Sequence, residues 1–277
     1  LFNQRTDIWG QDRVKFGLEV IRSIKKHAGD DFPIIWRISL DEKSGPDGFD
    51  DKESLEKWIP MWEKAGVHSF HVSAGGIMST DALAYAVPPL YFPKACLIRY
   101  SKAVMKRTSL PVIGVAKIMD APLARSVIEK GSADIVAVGR PISSDPDFPN
   151  KVFEGRDNEI RKCIACNWCL TTHSNMNNES RCTVNASYNR EVEYRLTKTE
   201  NMKRVMIIGG GVGGMETARV LHLRGHQVIL FEKTKQLGGL VRKVASKIPH
   251  VRTSNLDHAP EYLVNEMERL GIITLQG

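Results

Sequence analysis

Four of the five cysteines in this chain stand within twenty residues, as Cys163-Ile-Ala-Cys166-Asn-Trp-Cys169 and then Cys182 after twelve intervening residues. Cysteines at every third position let one tight turn present three thiolates to a single small object, with the fourth brought in by a returning loop. A cubane of iron and sulfide takes one thiolate per iron and suits this pattern. Structural zinc sites usually pair two Cys-x2-Cys knuckles, and the second knuckle is missing here, so zinc is the lesser alternative. An odd, low cysteine count argues against a secreted disulfide framework. Cys96, distant from the others, reads as a small buried hydrophobe.

Before the cysteines, helix and strand patterns alternate. Arg13–Lys26 carries Val14, Leu18, Ile21 and Ile24 near helical spacing. Short apolar, β-branched runs at Pro33–Ser39, Gly66–Ser73, Pro111–Ala116 and Asp134–Gly139 read as strands. Lys52–Ala65, Lys94–Lys106 and Ala121–Lys130 read as the helices between them. Such alternation implies a parallel sheet covered by helices. An open doubly wound sheet and a (β/α) barrel both satisfy it. Four units make only half of an eight-stranded barrel, and a half-barrel by itself would expose two long edges and an unfilled core.

The rhythm breaks over 156–188, which holds the cysteines, and Asn189–Met202 is a polar stretch that reads as a linker. A second α/β pattern follows: strand Arg204–Ile208, a glycine turn, helix Val212–Arg224, strand Gln227–Phe231, helix Pro260–Leu270 and strand Ile272–Leu275. A nucleotide-binding domain needs more strands than these. The chain is therefore expected to be the middle of a longer polypeptide, with the remainder missing at both ends.

The turn Gly209-Gly-Gly211-Val-Gly-Gly214 lies between a strand and a helix, the context in which a dinucleotide fingerprint carries weight. Gly209 permits the tight turn, Gly211 lets a pyrophosphate approach the backbone, and Gly214 allows close helix–strand packing. The helix N-terminus then offers N–H groups and a positive dipole end to phosphates. Glu232, at the end of the next strand and followed by Lys233, can accept from a ribose hydroxyl and favours a free 2′-hydroxyl. A glycine turn serving packing alone is the alternative. Leu237-Gly238-Gly239 is either a second close approach to the nucleotide or a simple turn. The net charge of +7 is scattered along the chain, which fits a solvated surface better than a nucleic-acid stripe. No stretch reaches the roughly 18–20 uncharged apolar residues of a membrane span, and Leu1-Phe-Asn-Gln-Arg5 lacks the basic-then-apolar order of a leader. The expectation is a cytoplasmic homo-oligomer that acts on a small molecule, with neither nucleic acid nor membrane as partner.

Taken in order, these residues resemble the multi-domain, iron–sulfur branch of the old yellow enzyme-like NADH:flavin oxidoreductase family. That branch includes 2,4-dienoyl-CoA reductase, enoate and bile-acid-type reductases, and trimethylamine dehydrogenase. The resemblance runs through Arg5-Thr-Asp-Ile-Trp-Gly10, Trp36-Arg-Ile-Ser39, Pro111–Ala116, Ala133–Arg140 and Glu154-Gly-Arg156. It continues through Cys163-Ile-Ala-Cys166-Asn167, Cys182-Thr-Val-Asn185, the glycine turn and Leu237-Gly-Gly239.

The resemblance implies an α/β chain in four parts. Residues 1–155 would be the second half of an FMN-binding (β/α)8 TIM barrel, 156–188 a 4Fe-4S segment, 189–202 a linker, and 203–277 the start of a Rossmann-like domain for FAD (or ADP) and NAD(P)H. It places Arg37 at the flavin pyrimidine edge, where a cation stabilises the anionic reduced flavin. Ala116, Lys117, Gly139 and Arg140 fall at the FMN phosphate. Cys163, Cys166, Cys169 and Cys182 become the ligands of the 4Fe-4S cluster. Gly209, Gly211, Gly214, Glu232, Lys233 and Gly239 become contacts of FAD or ADP.

There are departures. Gly10-Gln-Asp-Arg13 is shorter than the family's turn, and Ala116-Lys117 replaces the commoner Gly-Arg. Val72–Gly76 lacks the His-Glu pair of the dienoyl-CoA reductases. The family's tyrosine proton donor belongs to the half not represented, so no catalytic acid is named.

The implied activity passes electrons from NAD(P)H through FAD and the cluster to FMN, reducing an activated C=C bond of an enoate or enoyl-CoA. Two alternatives stand beside it: an amine dehydrogenase that exports electrons through the cluster, and a non-catalytic electron-transfer module. The Cys-x2-Cys-x2-Cys spacing looks like the amine dehydrogenases, and Pro88-Pro-Leu-Tyr-Phe-Pro-Lys94 looks like the reductases.

Overall fold

The computed structural model describes residues 5–12, 14–45, 48, 50–77, 79–175, 179–245 and 253–277. Arg13, which opens the first helical pattern, lies outside the described residues. The chain divides into two compact units. The first comprises Leu1–Pro88, Pro93–Ile118 and Pro122–Val138, and the second Pro89–Phe92, Met119–Ala121 and Gly139–Gly277.

The first unit is built on strands β1 (Ile35–Ser39), β2 (Ser69–Ser73), β3 (Val112–Gly114) and β4 (Ile135–Val136). All pair in parallel, in the order β1-β2-β3-β4. A doubly wound sheet reverses its strand order at a switch point; the described strands contain no such reversal. The helices of this part are α1 (Ile8–Gln11), α2 (Lys15–Ala28), α3 (Asp51–Glu53), α4 (Ile59–Lys64), α5 (Thr80–Ala86), α6 (Ile98–Met105) and α7 (Ala121–Glu129).

Alternation along the strands decides which side is buried. Ile38, Phe70, Val72 and Val112, with the partly buried Trp36, pack against Ile21, Ile59, Trp62, Tyr100 and Val104 of the helices. Gly17 of α2 is required there, because a Cβ would stand 2.6 Å from the Trp62 ring. Side chains on the opposite face, Ile35, Arg37 and Ile135, are exposed.

Several elements are shorter than their sequence patterns. The third strand stops at Gly114 rather than Ala116, because Ala116 and Lys117 take φ of +90° and +52°, outside the extended region. The fourth narrows to Ile135–Val136, and α6 begins at Ile98 after Ala95 turns the chain with φ +51°. The Lys52–Ala65 pattern is interrupted by a π-helical stretch, Ser54–Trp58, between α3 and α4.

The second unit begins with α8 (Arg140–Ser144), α9 (Phe148–Phe153) and α10 (Trp168–Asn175). These are five to eight residues long, too short for periodicity to reveal. Residues 189–202 contain turns but no helix or strand. There follow β5 (Arg204–Ile208), α11 (Val212–Leu223), β6 (Gln227–Glu232), α12 (Gly239–Ala245), α13 (His258–Arg269) and β7 (Ile273–Gln276), giving a parallel sheet ordered β5-β6-β7. One face packs Val228 and Leu230 against Met215, Ala218, Leu263 and Met267. The other presents Met206, Ile208, Ile273 and Leu275, each at least half exposed.

Candidate functional site

The four clustered cysteines all lie in the second unit, and all five cysteines of the chain are free thiols. On either side of Cys166, Ala165 and Asn167 adopt left-handed φ of +57° and +59°. These two left-handed residues turn the chain sharply at Cys166, which is exposed, whereas Cys163 is buried and Cys169 half-buried. The Ala165 N–H donates to Cys163 Sγ at 3.3 Å. Backbone N–H groups of Val184 and Asn185 are aimed at Cys182, and that of Leu170 at Cys169. The returning segment is pinned to α10, with Ser180 Oγ donating to the Cys169 carbonyl at 2.7 Å and the Arg181 N–H to Thr172 Oγ1 at 2.9 Å.

The thiols feel one another electrostatically. Cys163 couples to Cys182 and Cys166, and both Cys169 and Cys182 couple to Cys166. Burial pushes the Cys163 thiol up to about 11, and it raises Cys169 and Cys182 as well. Among the described residues, no three His, Cys, Asp or Glu side chains converge closely enough to grip one metal ion. A single zinc draws its sulfurs to about 2.3 Å from one centre, whereas a cubane seats each thiolate on its own iron and holds them farther apart.

Side chains around the cysteines tie the segment to its surroundings. The Arg140 guanidinium donates to the side-chain carbonyl of Asn167, and its charge bears on Cys163 and Cys169. Gly139 precedes it at the N-cap of α8, where a Cβ would meet nothing within 4 Å. Buried His258, opening α13, donates from Nδ1 to the Cys163 carbonyl at 3.3 Å. Arg161 lies over the Tyr262 ring at 4.9 Å and donates to Asn185 Oδ1 at 3.3 Å. Sequence reasoning singled out neither His258 nor Arg161. Each is an isolated residue whose partner lies distant along the chain, and no local spacing marks it.

In the first unit, Arg37 stands on the uncovered face of β1. Its Nη1 donates to His71 Nε2 at 2.8 Å and its Nη2 to Ser73 Oγ at 3.3 Å. His71 is the register partner of Arg37 on β2. Burial, and then the Arg37 charge, lower the His71 pKa, which keeps the ring neutral and able to accept. His71 was also missed, although the register of two parallel strands was the signal that could have found it. Ala116 and Lys117 are both buried just past β3 in this unit, and Gly139 and Arg140 belong to the second.

The glycine turn is closed by its own backbone. Gly209 has φ +105° and its N–H donates to the Phe231 carbonyl at 2.7 Å. The Gly210 N–H donates to Glu232 Oε2 at 2.7 Å, while Glu232 Oε1 accepts from the N–H and hydroxyl of Thr234, both at 2.9 Å. These donors, the Gly210 N–H first, hold the Glu232 carboxyl below its usual range. Glu232 therefore anchors the turn, a role the sequence did not reveal.

The glycines divide by what surrounds them. At Gly214 a Cβ would stand 2.0 Å from the Gly209 carbonyl oxygen, whereas at Gly211 it would meet nothing within 4 Å. Gly214 serves packing, and Gly211 leaves open room for a ligand. The Leu237–Gly239 turn packs on this loop, with the Gly238 N–H donating to the Gly210 carbonyl at 2.8 Å. A cleft of about 800 Å³ adjoins it, lined among others by Glu232, Lys233, Leu237, Gly239, Arg242 and Asp257. Asp257 Oδ1 is buried without a hydrogen-bond partner.

Residues 1–159 match the profile of the NADH:flavin oxidoreductase / NADH oxidase family. The chain belongs to this family. Residues 207–270 match an NAD(P)-binding Rossmann-like domain. An NADH oxidase of Thermoanaerobacter brockii is 38% identical over 281 residues, 99% of this chain and 42% of that protein. A cinnamate reductase of Clostridium sporogenes is 37% identical over 253 residues, 86% of this chain and 38% of the reductase. The solved structure of histamine dehydrogenase from Rhizobium sp. 4-9 aligns with TM-score 0.85 and 28% identity, over 99% of this chain and 40% of that one. The chain thus spans about two fifths of the length of these relatives. Among the described residues, no helix is long and apolar enough to cross a membrane.

Proposed function

We propose that this family member belongs to a multi-cofactor ene-reductase. When bound, FAD, a 4Fe-4S cluster and FMN would carry electrons from NAD(P)H to an activated C=C bond of an enoate or enoyl-CoA type substrate. The observation that carries this reading is the set of four free thiols gathered within twenty residues of the second unit, with N–H groups aimed at three of the sulfurs. Cysteine thiols lose their protons to a metal, so metal binding and local folding are coupled.

The remaining residues take roles consistent with this. Arg37, steered by neutral His71 and by Ser73, holds a cation on the open face of β1 for the flavin pyrimidine edge. Gly139 leaves room beside Arg140 for a phosphate. Gly211 admits a pyrophosphate to the start of α11, while Glu232 and Lys233 line the cleft where a ribose would lie. Strands β1–β4 would form the second half of a closed barrel, which accounts for their consecutive order and for the apolar side chains left bare on one face. The 1–155, 156–188, 189–202 and 203–277 boundaries follow from the same reading.

A second reading, oxidation of an amine at FMN with electrons leaving through the cluster, is favoured by the cysteine spacing and by the likeness to histamine dehydrogenase. Anaerobic stopped-flow separates the two. NADH, and not amines, is expected to bleach the flavin of the intact protein. Bleaching by an amine alone would reverse the assignment.

A further inference from the structure

We propose that the Arg37–His71 pair makes electron uptake at the FMN site draw a second proton, onto the His71 ring, beyond the one the flavin itself takes. This rests on the FMN reading above and deepens it, by naming a residue that holds a proton there.

The register of the parallel strands places Arg37 of β1, His71 of β2, Ile113 of β3 and Ile135 of β4 in one row across the sheet. Arg37 Nη1 stands 2.8 Å from His71 Nε2 and 3.3 Å from Nδ1, and Nη2 donates to Ser73 Oγ at 3.3 Å. Ser73 lies nearer the C-terminal end of β2 than His71, so the guanidinium is drawn toward the end of the strands where barrel enzymes hold their ligands. Its remaining N–H groups have no partner among the described residues, and the side chain is exposed. A cation left open in this way fits the pyrimidine edge of a flavin.

The bond to His71 requires a neutral ring, because both nitrogens of an imidazolium are donors. His71 meets no second charge in its row. Its neighbour on β3 is Ile113, β2 itself adds only Ser69 and Ser73 on that face, and burial, then the Arg37 charge, lower its pKa. Bound FMN that accepts two electrons and one proton from NAD(P)H carries one negative charge beside Arg37. The field of that charge raises the proton affinity of His71. Drawing the guanidinium onto the anion also removes the cation that had lowered it. Both effects have the same sign, so a proton passes from solvent to the His71 ring as the electrons arrive. Linkage is reciprocal, and a proton on His71 favours the reduced flavin.

The test is a spectroelectrochemical titration of FMN in the intact protein from about pH 5 to about pH 9. It compares the wild type with His71→Gln, whose amide oxygen accepts from Arg37 but takes no proton. In the wild type the midpoint is expected to fall with pH by one extra proton per two electrons, about 30 mV per pH unit. The window begins below the ordinary histidine value of about 6.5. In His71→Gln the extra slope is absent. Equal slopes overturn the proposal, whether the excess is missing from both proteins or persists in both, which would place the proton on the flavin. Reduced-minus-oxidised infrared spectra of the wild type carrying ring-labelled histidine need no variant. An imidazolium band is expected on reduction, and its absence overturns the proposal even where His71→Gln fails to hold FMN. An intact protein without FMN would bring down the underlying reading, and this inference with it.

Discussion

Two glycines three residues apart, Gly211 and Gly214, are predicted to fail in opposite ways when changed to alanine. In Gly214→Ala the new Cβ would lie 2.0 Å from the Gly209 carbonyl oxygen. Contacts shorter than about 3 Å are not tolerated, so α11 or the turn must move by roughly 1 Å. The obstructing atom is backbone, in a loop already fastened by the Gly209–Phe231 and Gly210–Glu232 hydrogen bonds. Overpacking costs about 1–3 kcal/mol, and the rigidity of this loop puts Gly214→Ala near 3 kcal/mol. At Gly211 φ is −73° and the new methyl meets nothing within 4 Å. Stability should then stay within about 0.5 kcal/mol of wild type. The methyl instead occupies the room left for a pyrophosphate, and FAD or ADP affinity should fall at least tenfold, about 1.4 kcal/mol. Urea unfolding of the intact protein measures the first effect, and calorimetric titration with ADP and FAD the second. The reasoning is refuted if Gly211→Ala binds both nucleotides as the wild type does, or if the two variants are equally stable.

Glu232 gives a pH dependence of defined sign. Its folded-state pKa is depressed, so its contribution is complete above the ordinary carboxylate value of about 4.3 and disappears as pH falls through the lower folded value. Between about pH 6 and pH 3 the wild type should lose thermal stability relative to Glu232→Gln; a wild type that instead gains would contradict the assignment of Glu232 as the turn's anchor. Ala116 holds φ +90°, a conformation that suits glycine. Ala116→Gly should stabilise the protein by about 1 kcal/mol, read as a higher Tm, and a lower Tm would show that the alanine is unstrained.

How much of this was legible in the sequence depended on the range of the interactions involved. The cysteine run and the glycine turn are local, each completed within about twenty residues, so their spacing alone marks them as candidate sites. Helix α2 was legible because Leu18, Ile21 and Ile24 repeat at helical spacing. Strands β5 and β6 fell within one residue of the expected bounds. The Arg37–His71 pair was hidden because it depends on the register of β1 against β2. The Arg140–Asn167 bond spans 27 residues and the His258–Cys163 contact 95, and no local pattern encodes either. The early end of β3 arises from backbone conformations at Ala116 and Lys117, residues with no intrinsic preference for positive φ.

The account depends most on what the thiols of Cys163, Cys166, Cys169 and Cys182 hold. Iron and acid-labile sulfide in the intact protein, purified without oxygen, test it most directly. About four of each per chain are expected in the wild type, with both falling sharply in Cys182→Ser. Stoichiometric zinc without sulfide, or undiminished iron in Cys182→Ser, would contradict it.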